Sequence, residues 1–120
     1  MRERTIEQVL IDQVEANGGL CLKWVSPGQR GVPDRLVCFQ GEIYPVELKA
    51  PGESPRPSQV YFHQKLLNCQ IQVFVLDSMD AVHRFIEEIL DGKWFDRPHI
   101  KEDSTIRPLV LKWNNEMRKR

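Results

Sequence analysis

A chain of 120 residues with 41% hydrophobic and 28% charged side chains has the material for one packed domain. Its formal net charge is zero, but residues 1–91 carry 9 Lys and Arg against 13 Asp and Glu, and residues 92–120 carry 8 against 4. This argues against a nucleic-acid binder relying on overall positive charge and leaves only local patches or bound metal for that purpose. No apolar run approaches membrane-spanning length, and Met1-Arg2-Glu3-Arg4-Thr5 lacks an apolar signal core.

In chain order, residues 5–16 predict a first helix. Thr5 and Gln8 form a candidate capping box, and Ile6, Val9, Leu10 and Val14 form an apolar stripe. Asn17-Gly18-Gly19 ends it. Residues 20–25 predict a short strand with Leu20, Leu22 and Trp24 on one face, followed by the turn-rich loop Ser26-Pro27-Gly28-Gln29-Arg30-Gly31. A hairpin then spans 34–39 and 43–49 around Gln40-Gly41. Pro45 in its second strand marks an edge or a bulge. Three prolines and a glycine over 50–57 make a stiff connector before a second helix at about 58–68, with Phe62, Leu66 and Leu67 inward. The apolar run 71–76 predicts a strand buried on both faces, and 79–91 predicts a third helix with Val82, Phe85, Ile86 and Ile89 at helical spacing.

The expected order is α-β-β-β-α-β-α, a mixed α/β sheet flanked by helices, with the second helix crossing between parallel strands. This core occupies residues 1–91. Residues 92–120 form an extension with irregularly spaced large apolar residues and a basic end, expected to pack on the domain or join a second subunit.

The hairpin carries the chemistry. With Gln40-Gly41 as a two-residue turn, Phe39 faces Glu42 and the ladder runs back until Asp34 faces Glu47. Facing side chains share a side of the sheet with Cβ atoms about 4.5–5.5 Å apart. Lys49, two residues on, shares that side. Two carboxylates beside an ammonium suit a hard divalent cation, and the backbone carbonyl of Leu48 offers a third oxygen. Taken alone, the pair also suits a charged edge strand kept from aggregating. As a site, it would leave waters on the cation for attack on phosphorus, with Lys49 orienting the water and balancing charge.

Gln59, in the first turn of the second helix, is a candidate partner for water or phosphate, and His63 lies one turn later as an accessory or surface residue. Glu7 suits the first helix's dipole and is also a candidate site acid. Lys23, Ser26, Arg30 and Arg56 are candidate DNA phosphate contacts. There is no phosphate-cradling glycine loop, nucleophile elbow, zinc quartet or HExxH. Cys21, Cys38 and Cys69 have neither CxxC nor zinc spacing, which points to free thiols in a reducing intracellular compartment, the cytoplasm of a bacterium or phage host.

Together, Glu7, Lys23, Gly31-Val32-Pro33-Asp34, Glu47-Leu48-Lys49 and Gln59 resemble the VRR-NUC (virus-type replication-repair nuclease) branch of the PD-(D/E)XK nucleases. The runs Pro45-Val46-Glu47-Leu48-Lys49-Ala50-Pro51-Gly52 and Arg56-Pro57-Ser58-Gln59 carry the same resemblance, which covers residues 7 to about 77. It implies a restriction-endonuclease-like fold in which Asp34 and Glu47 bind Mg²⁺, with Mn²⁺ able to substitute, and Lys49 positions the hydrolytic water. Gln59 and Glu7 complete the implied site, Glu7 as a second or water-mediated metal ligand. Short free-standing members resemble Holliday-junction resolvases and act as homodimers on branched DNA, while longer relatives cut flaps. The expected function is therefore metal-dependent, structure-selective cleavage of DNA. The alternatives are a flap or restriction-like nuclease, and a non-catalytic DNA-binding module.

Overall fold

The computed structural model describes residues 1–91, so the expected extension over 92–120 lies outside the described residues. The elements are α1 (Glu3–Ala16), β1 (Leu20–Lys23), β2 (Arg35–Phe39), β3 (Glu42–Leu48), α2 (Pro57–Asn68), β4 (Phe74–Leu76) and α3 (Met79–Asp91). This is the expected α-β-β-β-α-β-α order, arranged as one sheet in the order β1-β2-β3-β4. The first three strands are antiparallel neighbours, and β3 and β4 run parallel on either side of α2.

Helix α1 begins two residues before Thr5. Its N-cap is Arg2, which makes no side-chain cap bond, so the expected Thr5–Gln8 capping box does not form. Ile6, Leu10 and Val14 recur every four residues and are buried. They meet Val37 and Phe39 of β2, Tyr44, Val46 and Leu48 of β3, Leu76 of β4 and the α3 stripe Val82, Phe85, Ile86 and Ile89 in one core. Tyr44, Phe74 and Phe85 form an aromatic triangle within it, with ring centroids 4.9–6.1 Å apart.

Strand alternation sends the neighbouring residues of β3 to the opposite face. Ile43, Pro45 and Glu47 thus lie away from the α1–α3 core, as does Lys49 just beyond the strand. Exposed Leu20 and Leu22 pair with Cys38 and Leu36 along the same outer face.

The hairpin register is the one the turn predicts, from Phe39↔Glu42 to Arg35↔Val46. Gln40 and Gly41 both have positive φ, 48° and 82°, as a turn matching strand twist requires. Pro45 is neither at an edge nor in a bulge, because β3 is central. It faces Leu36 at a pair that exchanges no hydrogen bonds, and β4 pairing starts one residue later, at Val46↔Phe74. No ladder donor is needed there.

Two further expectations change. The 71–76 run yields only the three-residue strand β4, with Ile71 and Val75 well exposed, because among the described residues no strand flanks its far side. Helix α2 has no buried residue, and Phe62, Leu66 and Leu67 are only half-buried. It lies outside the main core, touching Trp24 through Phe62 with ring centroids 5.9 Å apart. Among the described residues, no helix is long and apolar enough to cross a membrane.

Candidate active site

The end of β3, the segment entering β2 and the first turns of α2 converge on one carboxylate. Glu47 is only 1% exposed. Its Oε1 accepts a hydrogen bond from Gln59 Nε2 at 2.8 Å and lies 3.9 Å from Lys49 Nζ. Its Oε2 lies 3.5 Å from His63 Nε2, and neither of those buried atoms has a hydrogen-bond partner. Lys49 is 6% exposed, so this ammonium is buried beside the acid rather than solvated at a strand end.

Asp34 immediately precedes β2 and continues its register towards Glu47. Its Oδ2 accepts the backbone N–H of Leu48 at 2.8 Å, which ties the two strand ends together. Burial pushes the Asp34 carboxyl from its ordinary 3.8 up to about 7. The Leu48 N–H opposes that rise, while the Glu47 carboxylate and the charge of Glu3 add to it.

The consequence for stability has a definite sign. Between about pH 4 and 7 the folded protein holds a proton on Asp34 that the unfolded chain releases, so this contribution to stability falls as pH rises through that window. Melting curves in chelator should show this loss, and Asp34→Asn protein should show a flatter profile. An equal slope in both proteins would refute the assignment.

Helix α2 contributes Gln59 and His63 four residues apart, on one side of the helix. Gln59 uses both ends of its amide, since its Oε1 accepts the Arg56 N–H at 2.7 Å and caps one free donor at the helix start. The helix is held to the loop before β2 by Gly31. There φ is +81°, and an added Cβ would lie 2.2 Å from Ser58 O. Arg30 and Arg56 therefore flank one seam, both exposed. Lys23 is exposed at the end of β1 opposite Arg35, and Ser26 is half-buried in the intervening loop.

Glu7 is placed differently from the other candidates. Arg35 Nε donates to Glu7 Oε2 at 3.0 Å and Arg35 Nη1 to Cys21 O at 3.4 Å. Arg35 alternates with buried Val37 and Phe39, so it turns towards α1 while Asp34 turns away. The α1 acid whose charge bears on Asp34 is Glu3, one turn before Glu7. Arg35 and Glu3 carry no motif signal. His63 had one, its i+4 spacing from Gln59, but its direct approach to Glu47 required the packed helix.

Among the described residues, no group of three or more His, Cys, Asp or Glu side chains forms a metal cluster. A cation here would rely on Asp34, Glu47, backbone oxygen and water. Those donors fit a hard divalent ion: a buried acid and a half-buried one converge, a Glu47 oxygen has no hydrogen-bond partner, and partial burial resists charge on Asp34. The three thiols are free, and burial raises that of Cys21 to about 11, away from reactivity.

The seven elements and the carboxylate-bearing hairpin define a restriction-endonuclease-like core. No family model matches the chain. A solved structure described as a VRR_NUC domain matches it with a TM-score of 0.66 and 33% identity, over 71% of this chain and 94% of that one. A curated relative, "Putative nuclease p44" of Acyrthosiphon pisum secondary endosymbiont phage 1, is 52% identical over 81 residues, 67% of this chain and 87% of the relative. The chain belongs to the VRR-NUC family.

Proposed function

We propose that the chain is a divalent-metal-dependent, structure-selective DNA endonuclease that hydrolyses phosphodiester bonds in branched DNA, in the manner of a Holliday-junction resolvase. The observation that carries this reading is the Glu47 carboxylate, 1% exposed, beside a second acid, with one oxygen lacking a hydrogen-bond partner. A buried charge in that condition is costly unless something positive completes it. The Asp34 and Glu47 carboxylates and the Leu48 carbonyl would hold the ion, Mg²⁺ or Mn²⁺. When bound, it supplies Lewis-acid polarisation of the phosphate and a more acidic water.

The chain's own residues divide the remaining work. Lys49, fixed by burial, orients the attacking water and offsets charge developing on the phosphate oxygens. Gln59 and His63 aim Glu47 from α2. Glu7, through Arg35, contributes from the α1 side. Lys23, Ser26, Arg30 and Arg56 contact backbone phosphates and set the DNA's register.

A homodimer would present paired sites to symmetric strands of a four-way junction in the cytoplasm. Cleavage mapping with Mg²⁺ on four-way, flap and linear duplex DNA tests the substrate shape, with Asp34→Ala protein as control. Preference for flaps moves the assignment to a flap enzyme, and binding without cutting moves it to a non-catalytic module. A strict monomer by light scattering removes the symmetric-cut picture.

His63 offers a separate check. His63→Ala should weaken Mn²⁺ binding by about 10–100-fold in calorimetry, as lost outer partners of metal ligands do. The fold should persist, because α2 contributes nothing to the buried core. Unchanged affinity would remove His63 from the site.

A further inference from the structure

Beside the carboxylate site, α2 and the residues leading into β4 enclose a partly open pocket of about 180 Å³, lined by Val60, His63, Gln64, Leu67, Gln72 and Val73. Val60, Leu67 and Val73 give it apolar walls, and Gln64 and Gln72 give it amide groups. The Gln72 Oε1 acceptor is buried and has no hydrogen-bond partner. Leaving a buried carbonyl oxygen unpaired costs free energy, so the site is suited to a ligand that brings an N–H donor. His63 belongs to both places: it lines this pocket and approaches Glu47 at 3.5 Å.

We propose that this pocket takes one unpaired nucleobase of the DNA, from a nucleotide next to the phosphate being cut. The inference rests on the nuclease reading above and specifies what that site recognises. The pocket is smaller than the roughly 300–1,000 Å³ typical of drug-sized ligands, which suits a single ring system. Apolar side chains can flank the face of a base while glutamine amides meet its polar edge. A base stacked inside a duplex cannot reach a side pocket; one splayed at a fork or branch can. Structure selectivity would then come partly from this pocket, as a requirement for a base free to leave the stack.

The test uses forked DNA carrying 2-aminopurine at each unpaired position flanking the branch in turn, bound by the full chain without divalent cation. At one position its emission should change on binding wild-type protein, and the change should be lost with Gln72→Ala. It should also be lost with Val60→Trp, which obstructs the rim from an exposed helix position. Equal emission changes with all three proteins would overturn the pocket assignment, as would a failure to bind forked DNA.

With Mg²⁺, an abasic nucleotide at that position should slow wild-type cleavage by about tenfold, within the range for a lost base contact. Gln72→Ala should slow cleavage of the intact fork equally, yet cut the abasic fork as well as wild type does. Multiplying losses would overturn the proposal. A protein that shows the emission change but never cuts would instead overturn the nuclease reading and leave the pocket standing.

Discussion

Glu47→Gln protein is expected to lose cleavage of branched DNA by at least about 10²–10³-fold in single-turnover assays with Mg²⁺, while the metal-free protein remains folded. The loss follows from removing one of two carboxylates available to a cation, together with the electrostatics that balance Lys49 and the phosphate. The retained fold follows from shape. Glutamine keeps the shape that Gln59 and His63 contact, and the relief beside Asp34 offsets part of the cost of leaving the buried Lys49 ammonium without its partner, so metal-free stability should fall modestly.

Lost cleavage by a protein that still melts cooperatively is a pattern that a merely unfolding substitution cannot produce. The rise in melting temperature on adding divalent cation, seen with wild type, should shrink in the variant, because a ligand stabilises only the form that binds it. Lys49→Ala should show a comparable loss of rate with a fall in stability, since it leaves a hole and an unbalanced acid. Cleavage by either variant within a few-fold of wild type would end the nuclease assignment.

Gly31→Ala is the second large effect, and it acts without touching the carboxylates. The residue sits at φ +81°, where a side chain is strained, and its new Cβ would lie 2.2 Å from the backbone oxygen of Ser58. A backbone atom cannot rotate aside as a side chain can, so the loop before Asp34 and the start of α2 must separate. Asp34 and Gln59 would then no longer meet at Glu47. Displacement of about 1 Å among reacting groups can cost about 10²-fold in rate, and the backbone strain itself costs about 1–3 kcal/mol. Gly28→Ala lies in the same loop with no atom near its Cβ, and should remain close to wild type in rate and urea midpoint. Equal behaviour of the two alanine variants would show that the seam does not position the site.

The hairpin was legible because its geometry is local. Gln40-Gly41 determines the turn, the turn determines the register, and the register brings Asp34 towards Glu47 with Lys49 on the same side. Helix α3 was legible for a similar reason, its apolar stripe pointing at the core it helps to build. The start of α1 was misread because Thr5 has the right chemistry for a cap, while the chain turns helical two residues earlier on Arg2. The 71–76 run was misread because hydrophobic composition does not reveal which strand ends at the edge of a sheet.

By itself, then, the sequence determined the element order, the hairpin register and the acid–acid–lysine set, because each depends on residues close along the chain. Only the tertiary structure decided that Arg35 claims Glu7, that Glu3 bears on Asp34, and that α2 stands outside the core with Gln59 and His63 on Glu47. Those neighbours are 12 to 31 residues apart along the chain, and their meeting depends on which face of each element is buried. Burial of that kind is a sum over the whole core, and no single stretch of sequence contains it.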